Sequence, residues 1–185
     1  MTQLGGWCVW ITGLPGSGKS VVGQALLRQL EQQGISAQLV SIDMLRKVVT
    51  PKPTYSEKER DIVYASIVFV SKLLTQNGVN VIIDATANRQ RYRDYARKQI
   101  PRFIEAYVRC PLEICIEREA KRGKTFMAPR DIYKKAFIGK STTVPGIGVP
   151  YEQPQNPEVT VDSDKQSLEE CAEKIYRTIT RIFRT

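Results

Sequence analysis

Histidine is absent from the 185-residue chain, and its absence excludes two kinds of active site. A nucleophile activated by an imidazole base cannot be built, and neither can a zinc site with histidine ligands. Cysteine is also scarce, with four residues and no Cys-x-x-Cys pair. We therefore expect buried free thiols, as in proteins of a reducing compartment, at Cys8, Cys110, Cys115 and Cys171.

Long apolar runs and a secretory pattern are missing as well. No stretch is long enough to cross a bilayer. Residues 1–6 show no basic stretch followed by an apolar segment, so the sequence predicts no signal peptide and a cytoplasmic location. The composition, with 42% hydrophobic and 25% charged residues, is that of an ordinary globular protein.

Basic residues outnumber acidic ones, 28 to 19, and give a formal net charge of +9. A basic surface for nucleic acid would explain this excess. A pocket for a small ligand with several phosphate and sulfate groups would explain it too. The basic residues are spread along the chain, with moderate clusters in residues 89–102 and 121–140. This spread favours the small polyanionic ligand.

The order of the apolar segments predicts an α/β fold. Short apolar runs typical of buried strands alternate with segments of helical spacing. Strands are predicted at residues 7–12, 37–42, 79–84, 103–108 and 159–161, and helices at 21–33, 56–76, 91–99, 111–118 and 168–183. Such alternation is typical of βαβ units in a mainly parallel sheet, which binds ligands at the carboxyl ends of its strands.

A glycine-rich segment between the first predicted strand and helix fits the pattern G-x-x-x-x-G-K-[ST]. Its glycines allow the backbone to wrap tightly and to point N–H groups at phosphate oxygens, and the following helix adds its positive N-terminus. The eight residues, which we call the phosphate loop, are Gly13, Leu14, Pro15, Gly16, Ser17, Gly18, Lys19 and Ser20.

This loop predicts ATP and Mg²⁺ as cofactors. Lys19 is expected to reach the β- and γ-phosphates, and the Ser20 hydroxyl is expected to hold Mg²⁺. Together with the alternating elements, the loop predicts the three-layer fold of P-loop NTPases, with a mainly parallel sheet flanked by helices. We expect a single kinase domain over residues 1–185.

Two acidic residues come at the ends of predicted strands. Asp43 follows the second strand and Asp84 ends the third, so both carboxylates are expected near the phosphate loop. Phosphoryl transfer needs a group that accepts or orients the acceptor's proton, and acidic help with Mg²⁺. We assign Asp43 as the candidate catalytic base and Asp84 as a candidate Mg²⁺ ligand. The alternative for each is a cap on the following helix.

Residues 121–155 are rich in glycine, proline and lysine and have no clear period. They predict a lid that folds over the phosphates, excludes water and limits ATP hydrolysis. Basic side chains next to it, at Arg118, Lys121, Arg122 and Lys124, could stabilise transition-state charge. Alternatively, these four are solvated surface charges.

Longer motifs occur together beyond the phosphate loop. They are Gly6-Trp7-x-x-Trp10-Ile11-Thr12, Asp43-Met44-Leu45-Arg46, Tyr55-Ser56-x-x-Glu59-Arg60, Cys110-Pro111-Leu112-Glu113-x-Cys115-x-Glu117-Arg118 and Gly146-Ile147-x-x-Pro150-Tyr151-Glu152-x-Pro154. In these motifs, and over nearly its whole length, the chain resembles the adenylyl-sulfate kinase family. The resemblance implies transfer of the ATP γ-phosphate to the ribose 3′-hydroxyl of adenylyl sulfate, as part of sulfate assimilation.

The resemblance also implies roles on the acceptor side. Asp43 and Arg46 would position the ribose and its phosphosulfate, and Arg60 would bind the anionic bridge. Tyr55 stands where the family has phenylalanine and would stack on the acceptor adenine.

Three further residues receive roles by the same resemblance. Arg118 would lie near the ATP base, and Gly146 and Ile147 would close on the acceptor adenine. The family is often dimeric, which implies a homodimer.

Departures from the family pattern fall on the acceptor side. Residues 61–66 lack an asparagine and two arginines, and Ala87 replaces a serine that direct transfer does not need. Val144 and Pro145 replace a Phe-Thr pair, and Gly148 replaces an aspartate. The resemblance therefore supports a kinase more strongly than it supports one acceptor.

Two other functions stay open from the sequence. Ile83-Asp84-Ala85-Thr86 resembles a motif of a wider group of P-loop kinases that act on a polynucleotide 5′-hydroxyl, a sugar or an antibiotic. A non-catalytic module that senses ATP is the other alternative, although Lys19, Ser20 and Asp43 are all present. In an enzyme, loss of Asp43 should lower turnover by at least ~100-fold, whereas a sensor should tolerate it.

Overall fold

Five parallel strands form the centre of the computed structural model, which describes residues 5–123 and 128–184. Their order across the sheet is β2-β3-β1-β4-β5, and every neighbouring pair is parallel. The strands are β1 (Cys8–Thr12), β2 (Ala37–Ser41), β3 (Asn80–Asp84), β4 (Phe103–Arg109) and β5 (Val159–Asp162). Parallel pairing requires a crossover between strands, and helices supply the crossovers here.

Helices cover both faces of this sheet and complete three layers. They are α1 (Lys19–Gln32), α2 (Ile42–Val49), α3 (Glu57–Gln76), α4 (Gln90–Gln99), α5 (Leu112–Lys121), α6 (Ile132–Phe137) and α7 (Leu168–Phe183). The predicted three-layer α/β fold is therefore confirmed. Within residues 5–123 and 128–184, no helix is both long enough and apolar enough to span a membrane.

Strand β1 shows why the sheet is buried on both faces. Its residues alternate, so that Val9 and Ile11 pack in one core with α1 and α7, while Cys8 and Trp10 pack in another with α3 and α4. All four side chains are inaccessible to solvent. A continuous apolar run was therefore the correct signal for a central parallel strand.

Two helices were not predicted. The second strand was expected to continue to Ile42, but it ends at Ser41 and α2 begins there. Ile42, Leu45 and Val49 of α2 pack against the second core, so tertiary contacts stabilise a helix of only eight residues. As a consequence, Asp43 lies in the first turn of a helix that directly follows the strand.

The segment predicted as a lid contains the short helix α6 and an isolated bridge between Pro145 and Val149. Buried Tyr133 and Val144 of this segment pack with Cys110 and Cys115, next to the phosphate loop. Residues 124–127, which include Lys124 and part of the predicted lid, lie outside the described residues. The described part of the segment is therefore packed against the body of the fold.

Candidate active site

A cavity of about 750 Å³ opens at the carboxyl ends of the strands. We call it the main cavity. Most of the predicted site residues line it, although they come from separate parts of the chain. They are Pro15, Gly16, Gly18, Lys19, Ser20, Asp43, Arg46, Tyr55, Arg60 and Arg118. One cavity thus joins the phosphate loop to the predicted acceptor residues.

The phosphate loop owes its shape to glycines that no other residue could replace without strain. Gly16 and Gly18 have φ angles of 82° and 94°, in the left-handed region that favours glycine. A Cβ atom on Gly16 would lie 2.3 Å from the carbonyl oxygen of Cys115. Helix α1 begins at Lys19, directly after the loop, so its positive N-terminus faces the cavity.

Hydroxyl groups from two distant segments of the chain support the phosphate loop. The Tyr133 hydroxyl donates to the carbonyl oxygen of Pro15 at 2.7 Å, and the Ser163 hydroxyl donates to that of Ser17 at 2.7 Å. Arg118 in turn donates to the carbonyl oxygen of Ser163 at 2.8 Å. Arg118 therefore lies close to the phosphate loop, and its predicted place near the ATP base stays a prediction.

Asp84 ends β3 beside the first residues of α1. It is 5% exposed, the Ser20 hydroxyl is hydrogen-bonded to its carboxylate, and its Oδ1 atom is buried without a partner. Burial raises the pKa of the Asp84 carboxyl, and the Asp43 charge adds to this effect, while Lys19 and Ser20 oppose it. An unsatisfied carboxylate oxygen next to a hydroxyl is a fitting partial ligand set for Mg²⁺.

The described residues contain no group of three or more Asp, Glu or Cys side chains that could hold a metal alone. Mg²⁺ commonly uses one or two protein ligands and completes its shell with phosphate oxygens and water. Ser20 and Asp84 therefore fit a metal that arrives with a nucleotide.

Arg46 lies on the opposite side of the cavity, one turn after Asp43 in α2. Its guanidinium pairs with Glu59 at 2.8 Å and lies 4.8 Å from the centre of the Tyr55 ring. Tyr55 has a φ of 56°, a left-handed conformation that is uncommon for an aromatic residue. Strained residues of this kind are frequent at ligand sites.

Arg60 is the second cation on this side, and only 7% of it is exposed. It donates to the carbonyl oxygen of Tyr55 at 3.0 Å, to Asn88 Oδ1 at 2.8 Å and to the carbonyl oxygen of Thr143. All three acceptors are neutral, and burial lowers the pKa of Arg60. A buried cation without a carboxylate in contact favours a negatively charged ligand.

Several residues that line the cavity were not predicted as site residues. Tyr64 accepts a hydrogen bond from the Ala87 backbone N–H at 2.9 Å and stacks on Tyr92, with ring centres 4.2 Å apart. Thr86 and Lys135 also line the cavity. Thr86 belongs to the Asp-Ala-Thr motif and Lys135 to a basic cluster, so the sequence contained a pattern that could have identified both. Ser163, which fixes the phosphate loop, carried none.

Gly146 and Ile147 lie outside the lining of the main cavity, and their contact with an acceptor adenine stays a prediction. They line a second cavity together with Leu14, Pro111 and Tyr151. A Cβ on Gly146 would meet the Leu14 side chain at 3.0 Å, so this glycine packs closely against the phosphate loop. Leu14 lines this second cavity too, so it contributes to the loop without facing the main cavity.

Comparison of the sequence with known proteins relates this chain to one enzyme family. A sequence model of the adenylylsulphate kinase family matches residues 5–162. A probable adenylyl-sulfate kinase of Pyrococcus abyssi is 36% identical over 93% of this chain and 94% of its own length. The adenylyl-sulfate kinase of Rippkaea orientalis is 35% identical over 96% of this chain and 93% of its own length.

Solved structures give the same result. The Mycobacterium tuberculosis APS kinase CysC, solved in complex with AMPPNP and APS, is 31% identical, with a TM-score of 0.84 over 95% of this chain and 98% of that one. A sugar kinase from Janibacter is 19% identical with a TM-score of 0.68, which shows a shared fold alone. Because the family model covers most of the chain and the relatives align nearly end to end, this chain belongs to the adenylylsulphate kinase family.

Proposed function

We propose that this protein transfers the γ-phosphoryl group of ATP to the ribose 3′-hydroxyl of adenylyl sulfate and produces 3′-phosphoadenylyl sulfate. The observation that carries the proposal is the single cavity that joins the phosphate loop to two arginines and a tyrosine. The M. tuberculosis relative, solved with AMPPNP and APS, supports the same pair of substrates.

On the ATP side, the loop N–H groups and Lys19 bind the phosphates and neutralise charge that develops during transfer. Ser20 and Asp84 would hold Mg²⁺, and the bound metal would supply charge neutralisation at the phosphate oxygens. Arg118 would lie near the ATP base, and its hydrogen bond to Ser163 also supports the loop.

On the acceptor side, Asp43 accepts the proton of the 3′-hydroxyl or orients that hydroxyl towards the γ-phosphate. Arg46 and Arg60 bind the phosphosulfate. Arg60 has only neutral acceptors and gains a charged partner there, while Glu59 holds Arg46 in place. Tyr55 offers an aromatic face to the acceptor adenine. The described part of the lid, residues 128–155, would limit the access of water to the phosphates.

A related kinase reaction on another alcohol is the second candidate. It is favoured by the missing acceptor-side asparagine, arginines and phenylalanine. However, Val63 is fully buried in the second core, and neither Ala65 nor Ser66 lines the main cavity. The three α3 positions that lack the family's asparagine and arginines therefore do not line the main cavity, whereas Val144 and Pro145, which replace the Phe-Thr pair, do line it.

Transfer of label from γ-³²P-ATP tests the proposal. With adenylyl sulfate as acceptor, we expect a labelled product that loses its label to a 3′-nucleotidase. Parallel reactions contain a 5′-hydroxyl oligonucleotide or gluconate in place of adenylyl sulfate. Label in one of these products, with none in adenylyl sulfate, would show that the acceptor is another alcohol.

We also propose a cytoplasmic location and a homodimer. The four cysteines are buried and free, as is usual where thiols remain reduced. Ile62, Phe69 and Leu73 expose apolar surface along α3 that a second copy could cover. Light scattering of the purified protein, compared with a Phe69→Lys variant, would test the dimer.

A further inference from the structure

Glu59 makes an unusual number of contacts for one carboxylate. Its Oε1 atom accepts hydrogen bonds from Arg46 at 2.8 Å and from the Tyr55 backbone N–H at 3.3 Å. Its Oε2 atom accepts from the backbone N–H of Thr54 at 2.5 Å and from the Thr54 hydroxyl at 2.7 Å. A single side chain of α3 thus joins α2 to the segment that precedes α3.

Two of these partners, Arg46 and Tyr55, line the main cavity, whereas Glu59 does not. The side chains of Arg46 and Glu59 are 8% and 10% exposed, so the pair is shielded from water. Arg46 lies over the Tyr55 ring, and Tyr55 has the strained φ described above. Such a conformation persists only where its surroundings restrain it, and Glu59 supplies one restraint directly.

The electrostatics agree with an ionised Glu59. Burial alone would raise its pKa, but hydrogen bonds from Thr54 and Tyr55 and the Arg46 charge outweigh burial and hold the pKa below its ordinary value. All four of its partners are donors. A carboxylate, which accepts only, satisfies them, and a carboxamide cannot.

We propose that Glu59 is the positioning residue of the acceptor half of the site: it fixes the Arg46 guanidinium and the Tyr55 ring as one unit that receives the acceptor. The inference rests on the proposed function, since the acceptor is adenylyl sulfate. Glu59 does not line the main cavity, so it acts through Arg46 and Tyr55. Its loss should therefore weaken acceptor binding and leave the ATP side intact.

Glu59→Gln tests this inference by steady-state kinetics with both substrates varied. Whichever way the amide turns, its NH₂ group faces a donor that cannot accept, either the Arg46 guanidinium or the Thr54 backbone N–H. We expect KM for adenylyl sulfate to rise roughly 10- to 100-fold, the usual effect of losing hydrogen bonds to a charged group. We expect KM for ATP to stay within about 2-fold, because the phosphate loop does not contact Glu59.

Glu57→Gln is the matched control. Glu57 lies in the same first turn of α3, and the variant removes the same charge near the helix N-terminus. However, the Glu57 side chain is 65% exposed and pairs only loosely with Arg91 at 3.2 Å. Its kinetics should match those of the wild type. Glu59→Asp, which keeps the charge, should recover most of the acceptor affinity.

The outcomes separate the inference from the proposed function. No turnover of adenylyl sulfate by the wild type would overturn both. Turnover by the wild type, with both KM values raised equally in Glu59→Gln or neither raised, would overturn the role of Glu59 alone. If Glu59→Gln fails to fold, Thr54→Val removes one hydroxyl donor to Glu59, and it should raise KM for adenylyl sulfate selectively by a few-fold.

Discussion

The ATP half and the acceptor half of the site are built in different ways. The phosphate loop is eight consecutive residues whose backbone N–H groups we propose as the phosphate ligands, and the side chains that support it contact backbone carbonyl groups. The acceptor half combines Arg46 from α2, Tyr55 from a loop and Arg60 from α3, held by side-chain contacts. A binding site formed by the backbone of one segment can be predicted from one sequence motif. A binding site formed by side chains of three segments can change its residues and keep its shape, so one motif does not predict it. Each prediction below acts on one half only.

The largest expected effect is at Asp43. Asp43→Asn removes the proton acceptor but keeps the size of the side chain, so kcat should fall by about 10³-fold. Binding of ATP, measured by calorimetry, should be unchanged. A variant that retains more than about a tenth of the wild-type kcat would exclude Asp43 as the base, and a loss of ATP binding would show that the two halves are not separable at this residue.

Gly16→Ala should damage the ATP half. The new Cβ would lie 2.3 Å from the Cys115 carbonyl oxygen, so the loop must move, and misplacement by about 1 Å can lower a rate by about 10²-fold. We expect kcat/KM for ATP to fall by about that factor. Gly34→Ala is the control, because Gly34 has a φ of 73° but nothing within 4 Å of the added atom. If both variants behave alike, strain at positive φ explains the effect, and the contact with Cys115 does not.

Arg118→Ala should have a smaller effect on the same half. It removes the hydrogen bonds to Ser163, which itself donates to the loop carbonyl of Ser17. We expect KM for ATP to rise by about 10-fold, the scale of one charge-assisted hydrogen bond. KM for adenylyl sulfate should stay constant in the same assay. A rise in that value instead would place Arg118 in the acceptor half.

The smallest effect is expected in the stability of the ligand-free protein. The folded state raises the pKa of Asp84, so it binds more protons than the unfolded state and loses stability as pH rises above the ordinary aspartate range. Asp84→Asn removes this buried charge. Its Tm at pH 7.5 should exceed that of the wild type by roughly 2–4 °C, the shift expected for about 1 kcal/mol.

The pH dependence provides the control for this prediction. Below the ordinary pKa of aspartate, Asp84 is protonated in both states, and the Tm difference should vanish. Scanning calorimetry at several pH values measures the Tm difference between variant and wild type both at pH 7.5 and below the ordinary pKa of aspartate. A lower Tm for the variant at pH 7.5 would mean that the carboxylate is compensated within the protein and does not need a metal ion.

The sequence predicted much of this molecule because its strongest signals are local. The apolar run of β1, the glycines of the phosphate loop and the spacing of α3 and α7 each act within a few residues of one another. Helices α2 and α6 were missed since they are short, and α2 carries two β-branched residues at its end, Val48 and Val49. Packing stabilises them, and packing cannot be seen in a single segment.

The contrast between local sequence signals and packing also explains which positions in the site the sequence predicted and which it did not. Lys19, Ser20, Asp43 and Arg46 lie close to strand ends, so their side of the sheet followed from the pattern. Gly146 and Ile147 follow a long segment without a period, and only the fold shows that they line the second cavity with Leu14. The roles assigned to all these residues stay predictions until the variants are measured.

Competition between acceptors tests the central claim most directly. The protein would be given ATP and Mg²⁺ with adenylyl sulfate, a 5′-hydroxyl oligonucleotide and gluconate in one mixture, and each phosphorylated product would be quantified by mass spectrometry. The account predicts that 3′-phosphoadenylyl sulfate forms at least about 10³ times faster than either other product, because a site built to bind a group rejects acceptors that lack it. Preferential phosphorylation of the oligonucleotide or gluconate would contradict it and would mean that this scaffold serves another acceptor.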